Sequence, residues 1–260
     1  MKNSNSLILV NRNSINNLDK LLSELIQIIN FDKYLKFILI IDNNSNDQSG
    51  EKIFHYLTKN KEIKIVLIQN SENYGMGGSL KISFNYFLKN INTKNLLIMH
   101  TSGRTNIFTL YTKFINADKG VYDYLLMSRY HKDSKIHNYS LIRNLGNKLF
   151  NLLVFLFSGK YIQDHGSGIF LIKKQLLKTL NYNNFTNDSF FNPQMNIVIS
   201  KKEMIKYIPV EWGESTVKSH LNIYSYALKL IFFLLQYFVF GDKAFKNRND
   251  QFITTYKIDK

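Results

Sequence analysis

Phe37-Ile38-Leu39-Ile40-Ile41-Asp42-Asn43-Asn44-Ser45-Asn46-Asp47-Gln48-Ser49 joins an unbroken apolar run to an unbroken polar one. A short continuous apolar run bounded by turn-forming residues reads as a strand buried on both faces. The same unit recurs on either side. Residues 7–10 form an apolar strand, and Leu18, Leu21, Leu22, Leu25, Ile28 and Ile29 then repeat at helical spacing. Beyond the quoted stretch, Ser49 is placed to cap a helix with Ile53, Phe54 and Leu57 inward. Residues 63–68 give a third strand. Gly75-Met76-Gly77-Gly78 turns the chain into a helix with Leu80, Phe84, Phe87 and Leu88 inward. Residues 96–99 give a fourth strand, 108–115 a helix and 124–127 a strand.

This alternation predicts an α/β fold, a mostly parallel sheet with helices on both faces. Ligands of such sheets bind beyond the carboxyl ends of the strands. Residues 11–14, 42–49, 69–78 and 100–106 are therefore the loops expected to carry function. The second half is less regular. Residues 139–157 read as a helix, 169–172 as a strand, 173–180 and 193–199 as helices, and 205–210 as a strand. There is no internal repeat and no Gly-, Ser- or Pro-rich linker. The expected organisation is one domain over residues 1–220 and a C-terminal apolar helix with a basic, membrane-interfacial tail over 221–260.

Apolar residues make up 45% of the 260, enough to bury a core and to exclude a disordered tail. The absence of cysteine excludes disulfides and thiolate metal sites. The formal net charge of +15 attracts nucleic acid, acidic lipid headgroups or phosphorylated substrates. Zinc-finger spacing, RNP-type aromatic motifs and a recognition-helix signature are lacking, so nucleic acid is not the expected partner. Residues 7–10 are too short for a signal-peptide core, and no stretch reaches the roughly 20 apolar residues of a spanning helix. The nearest is 230–240, preceded by Lys229 and followed by Asp242, Lys243, Lys246 and Arg248. It reads either as a core helix or as one lying in an anionic membrane interface.

Two loops suggest chemistry, each with a plainer reading. Asp42, at the end of an apolar strand, can accept hydrogen bonds from a base or ribose, or belong to an Asx-rich turn capping a helix. The glycines at 75, 77 and 78 let the backbone approach another group closely, either a ligand or the sheet. Leu80 at the third position excludes a dinucleotide fingerprint.

Several segments, taken together and in order, resemble family 2 glycosyltransferases, especially the dolichol-phosphate mannosyltransferase-like branch. Leu9-Val10-Asn11-Arg12-Asn13 is similar to "vPvyNe", and residues 42–49 to "DnnStDgT". Asn73-Tyr74-Gly75-Met76-Gly77-Gly78-Ser79 is similar to "NxGyGgA". Asp123 with Ser128-Arg129 resembles "DvvvgsR", and Arg143 with Asn147 resembles "RxxxSxxxN". Asp164-His165-Gly166-Ser167-Gly168-Ile169-Phe170 resembles "DxxSGF", and Ile208-Pro209-Val210 resembles "evPi". The resemblance spans about residues 7–220. It implies the GT-A (nucleotide-diphospho-sugar transferase) fold. It assigns Asn13, Asp42, Asn44, Asp47, Gly75, Gly77, Gly78, His100 and Ser102 to the nucleotide sugar. Arg129, Arg143, Lys218 and Ser219 fall to phosphate or acceptor, and Asp164 to catalysis; Arg104 is a catalytic candidate on the ground of its charge.

The chain departs from the family where a DxD motif would bind Mg²⁺ or Mn²⁺. His100-Thr101-Ser102-Gly103-Arg104 stands there, with His100 and Ser102 in place of the two aspartates. A hard cation prefers several oxygen ligands, so His100 is at most one ligand. A departing nucleoside diphosphate still needs stabilising charge. Arg104, with Arg129, Arg143 or Lys218, can supply it without metal. Otherwise a metal binds through diphosphate oxygens, water and His100, or catalysis is lost. Residues 214–220 only partly match the family's "RxxGxSK", keeping Ser219 with Lys218 before it. Asp164 is the general-base candidate for a hydroxyl acceptor, with His165 second; a lipid phosphate needs no base. The expected function is hexosyl transfer from a nucleotide-sugar donor to a lipid-linked or cell-envelope glycan acceptor in polysaccharide biosynthesis. The expected location is cytoplasmic, peripheral at the inner face of the membrane. The alternative is a catalytically inactive GT-A module that binds a nucleotide sugar or a partner enzyme.

Overall fold

The computed structural model describes residues 4–59, 62–213, 223–245 and 256–259. The first half runs β1 (Asn5–Asn11), α1 (Leu18–Phe31), β2 (Leu35–Asp42), α2 (Ser49–Leu57), β3 (Lys64–Asn70), α3 (Gly75–Asn90), β4 (Asn95–His100) and α4 (Ile107–Ala117). Then come β5 (Tyr124–Ser128), β6 (Lys135–Ile136), α5 (Leu141–Ser158), β7 (Phe170–Lys173), α6 (Lys174–Lys178), α7 (Phe191–Ser200), β8 (Ile205–Pro209), β9 (Glu211–Trp212), α8 (Ile223–Phe240) and β10 (Tyr256–Asp259).

Successive strand residues point to opposite faces, and both faces are covered. Ile8, Phe37, Leu39, Val66 and Ile98 pack with Phe84 and Phe87 of α3, Phe150 of α5, Met195 of α7 and Phe233 of α8. Leu7, Leu9, Ile38, Ile40 and Leu97 pack with Leu25 of α1, Ile53 of α2 and Phe114 of α4. Each fully buried Leu or Ile contributes roughly 1.5–3 kcal/mol. Double coverage is why these strands are continuous apolar runs.

The large sheet has the order β10-β3-β2-β1-β4-β7-β5-β8. From β1 the chain winds outward through β2 and β3, then crosses to β4 on the other side, all in parallel. A topological switch point therefore lies between β1 and β4, where open α/β sheets bind ligands. β7 runs antiparallel to both β4 and β5. The residues leading into β7 consequently lie on the rim formed by the ends of β4 and β5. Glu24 of α1 holds the start of α4, accepting from Ile107 N at 2.8 Å and Asn106 Nδ2 at 3.0 Å. That fixes the far end of the 100–106 loop.

Three local details differ from expectation. Ser49 does not cap α2. Asp47 Oδ1 receives the Ser49 N–H at 3.0 Å, while Ser49 Oγ turns back to Asn11 at 2.9 Å. The Gly75–Gly78 turn is the first turn of α3 itself. Residues 256–259 add an edge strand antiparallel to β3. In α8, Leu230, Phe233, Leu234 and Tyr237 are buried, while Leu228, Ile231, Phe232, Leu235, Phe238, Val239 and Phe240 are exposed. Residues 230–240 therefore have one face in the core, as the core reading expects, and one exposed apolar face. Lys246 and Arg248 lie outside the described residues. Among those described, no helix is long and apolar enough to cross a membrane.

Candidate functional site

The rim at the switch point is organised by Asn11, the last residue of β1. It pairs in register with Asp42 of β2, while Val10 pairs with His100 of β4. Asn11 Nδ2 donates to Asp42 Oδ1 at 2.6 Å and Ser49 Oγ at 2.9 Å. Its Oδ1 accepts from Thr101 Oγ1 at 2.7 Å and Ser14 Oγ at 2.5 Å. Asp42 is buried and also accepts from the Ser45 amide and hydroxyl. A Cβ on Gly50 would come within 2.8 Å of its side chain. Asn13 and Asn44 adopt left-handed backbones (φ 51° and 56°) that turn the two loops toward each other, and Asn13 Oδ1 accepts from Asn46 N at 3.0 Å. Burial raises the Asp47 carboxyl. Hydrogen bonds from the Ser49 side chain and the Ile15 and Ser49 amides outweigh that and leave it below the usual range. These groups form a preorganised wall whose polar atoms are largely turned on one another.

The glycines find a partner within the chain. The Gly77 and Gly78 amides donate to Asp188 O at 3.2 Å and Asn187 O at 2.9 Å. A Cβ would stand 2.5 Å from Asn187 O at Gly75 and 2.2 Å from Thr186 O at Gly77. The close approach expected of Gly75, Gly77 and Gly78 is thus made to residues 186–188, which occupy the helix N-terminus where a nucleotide was expected.

One ion pair joins Asp164, expected in catalysis, to Arg129, expected at phosphate or acceptor. Asp164 is fully buried. Its Oδ2 accepts from Arg129 N at 2.9 Å and Nε at 2.7 Å, and its Oδ1 from Arg129 Nη2 at 2.7 Å and Gly166 N at 3.2 Å. Arg129 Nη1 goes to Tyr139 Oη at 3.2 Å. Desolvation lowers the Arg129 pKa, but Asp164 more than compensates and the net shift is upward. Both carboxylate oxygens of Asp164, and Nε and Nη2 of Arg129, are thus engaged with each other within the protein. His165 is buried, with neither ring nitrogen hydrogen-bonded. Burial pushes its pKa down to about 3, against a weaker raising by Asp164.

The remaining candidates converge. A cavity of about 490 Å³ lies between α5, α8 and the rim, lined by His100, Arg104, Arg143, Asn147, Ser167 and Gly168 among others. Among the described residues its lining has two arginines and no carboxylate. His100 Nε2 lies 3.1 Å from Gly168 O. A carbonyl only accepts, so Nε2 carries the proton and Nδ1 is left as an acceptor. Burial pushes the His100 pKa down to about 4, opposed by the Gly168 hydrogen bond and aided by Arg104. Arg104 lies over the Trp212 ring at 5.8 Å, and Arg129 over the same ring at 5.6 Å. Trp212, the sole tryptophan, is thus within reach of both a cavity-lining arginine and the one paired with Asp164. Its role, and that of Tyr139, left no signal in the sequence beyond their rarity or position.

Among the described residues, the oxygen donors nearest the rim are engaged within the protein. Thr101 is turned to Asn11, Asp42 and Asp47 to neighbouring loop groups, and Asp164 to Arg129. Among the described residues no three His, Asp or Glu side chains are grouped to hold a metal. Ser102 follows His100 on the rim and is partly exposed; Lys218 and Ser219 lie outside the described residues.

The doubly covered, mostly parallel sheet with its ligand rim at the β1/β4 switch is the GT-A fold of nucleotide-diphospho-sugar transferases. Residues 6–96, from β1 into β4, match the glycosyl transferase family 2 model. That segment contains the Asn11–Asp42 wall and the α3 glycines, and ends before His100. Glucosyl-3-phosphoglycerate synthase from Mycobacterium tuberculosis, solved with Mn²⁺, UDP and glucosyl-3-phosphoglycerate, is similar with a TM-score of 0.62 at 10% identity, over 96% of this chain and 82% of that one. A mycobacterial protein gives 0.62 at 13% identity, over 93% and 77%. S. aureus TarS 1–349 gives 0.52 at 16%, over 95% and 75%. No curated protein matches the chain.

Proposed function

We propose that this chain is a family 2 glycosyltransferase that moves a hexosyl group from a nucleotide-sugar donor to a lipid-linked acceptor, without a divalent cation. The observation that carries the reading is the cavity at the carboxyl rim, which brings Arg104 and Arg143 together with no acid among its described lining residues. A leaving nucleoside diphosphate develops negative charge, and preorganised cations in a partly desolvated site stabilise it. With Asp164 locked, an acceptor that is already anionic, such as a lipid phosphate, avoids the need for a base. The walls support the same acceptor. Ile142, Leu149 and Ile231 line the cavity and are also exposed at 73%, 56% and 48%. An apolar tail can therefore run from the rim onto the outer face of α5 and α8. Such an acceptor fits the dolichol-phosphate mannosyltransferase-like branch and envelope polysaccharide biosynthesis, and supports a peripheral location on the inner membrane face as part of the same proposal.

Donor turnover in EDTA and in Mg²⁺ tests the proposal. Equal rates are expected, with a loss of about 10²-fold in Arg104→Ala. Turnover that requires added metal defeats the metal-free reading. Nucleotide-sugar binding with no turnover on any acceptor would instead identify an inactive binding module, a reading that the missing acidic pair favours.

A further inference from the structure

The inner wall of the cavity carries polar atoms without protein partners. Ser167 is 5% exposed and Asn192 6% exposed, and both line the cavity. Neither Ser167 Oγ nor Asn192 Oδ1 has a hydrogen-bond partner. Buried polar atoms are nearly always paired, and each exception calls for a reason.

The two residues come from different elements and line the same cavity. Ser167 lies in the segment entering β7 and Asn192 on α7. Between them, Gly168 has φ +64°, and a Cβ there would stand 2.8 Å from Asn192 Nδ2 and 2.9 Å from His100 Nε2. A side chain at 168 would therefore crowd Asn192 and His100, next to Ser167 in the chain. His100 Nε2 is already engaged with Gly168 O, so the groups left to a ligand are a hydroxyl and an amide.

Their chemistry separates two ligand types. A phosphate offers only acceptors, and the amide oxygen of Asn192 would repel it. A sugar hydroxyl both donates and accepts, so it can satisfy Asn192 Oδ1 and pair with Ser167 Oγ. The arginines on the same cavity provide for the phosphates. We infer that Ser167 and Asn192 form the subsite that binds the hydroxyls of the donor's sugar ring. This rests on the nucleotide-sugar reading above and adds residues that set which sugar is taken.

The test compares a nucleotide sugar with its own nucleoside diphosphate. UDP-, GDP-, CDP- and dTDP-hexoses are screened for thermal stabilisation of the wild-type chain. Affinities for the best of them and for the matching diphosphate are then measured by calorimetry in wild type, Ser167→Ala and Asn192→Ala. Each variant should weaken the nucleotide sugar by about tenfold and leave the diphosphate within about twofold. Equal losses on both ligands, or a loss on neither, overturn the inference and leave the glycosyltransferase reading standing. A wild type stabilised by none of the sugar nucleotides removes that reading, and the inference with it. Ser167→Ala deletes a single oxygen and carries the test alone if Asn192→Ala does not fold.

Discussion

Asp164 and Arg129 show how one contact reassigns two residues. Each, alone, suits a polar rim loop near a substrate. Together they form a bidentate pair with side chains 0% and 6% exposed. Removing one partner of such a pair leaves a buried unpaired charge and costs about 3–5 kcal/mol. Asp164→Ala should therefore unfold at a markedly lower urea concentration; lost turnover with an unchanged midpoint would restore the general-base role. The two buried imidazoles make a second prediction. His165 and His100 sit at about 3 and about 4 in the folded chain, whereas each titrates near 6.5 when unfolded, an ordinary value for histidine. Below pH about 6.5 the unfolded chain takes up protons that the folded chain refuses. Stability should therefore fall from there toward pH about 4, by up to about 1.4 kcal/mol per pH unit per imidazole. His165→Phe removes one share, and it replaces an unpartnered polar ring beside Phe150 with an apolar one. Its advantage over wild type should be larger at pH 5 than at pH 7.5, as read from urea midpoints at both.

Among the elements, α3 and α5 contain glycines of opposite meaning. In α3, Gly77 faces Thr186 O and Phe191 Cβ, which a new Cβ would meet at 2.2 and 2.8 Å. A backbone oxygen cannot step aside, so Gly77→Ala should destabilise by about 1–3 kcal/mol, the range for overpacking. In α5, nothing lies within 4 Å of a Cβ built on Gly146. Gly146→Ala should raise stability by about 0.5–1 kcal/mol, because alanine loses less backbone freedom in a helix. Thermal and urea unfolding of the pair check the signs, and a destabilised Gly146→Ala would mean that α5 is constrained by something the fold does not display. Most of the helices and strands were legible from apolar periodicity, whereas the short β6 and β9 and the edge strand β10 were not. Nor were the helix caps: Ser49 sits one position too late in the turn, and Asp47 takes the amide instead.

The whole molecule presents an unusual outer face. Leu141, Leu145, Leu156 and Tyr161 on and beside α5, with Leu228, Phe232, Phe238 and Val239 on α8, are each at least 60% exposed. α5 and α8 pack together, so the apolar side chains form one surface on a chain of net charge +15. Apolar patches of this extent mark interaction surfaces, and a positive field favours anionic lipid. The chain should sediment with anionic vesicles, less so at high salt and less so with neutral ones. Phe232→Glu together with Leu235→Glu should abolish this while leaving the fold intact, since both residues are exposed. A face instead covered by a second copy would show as a dimer that ignores vesicles.

The order of strands and helices, the two-sided burial of the sheet and the loops expected to matter follow from the sequence alone. Each depends on local spacing, which a chain carries whatever it packs against. Which loop residues face a ligand and which face one another was settled only by tertiary structure. Arg129 and Asp164 are 35 positions apart and meet because β7 runs against its neighbours, a direction no local pattern encodes. The glycines of α3 meet residues 186–188 for the same reason. Arg104, Arg143, Ser167 and Asn192 come to share one cavity only when the helices close over the rim.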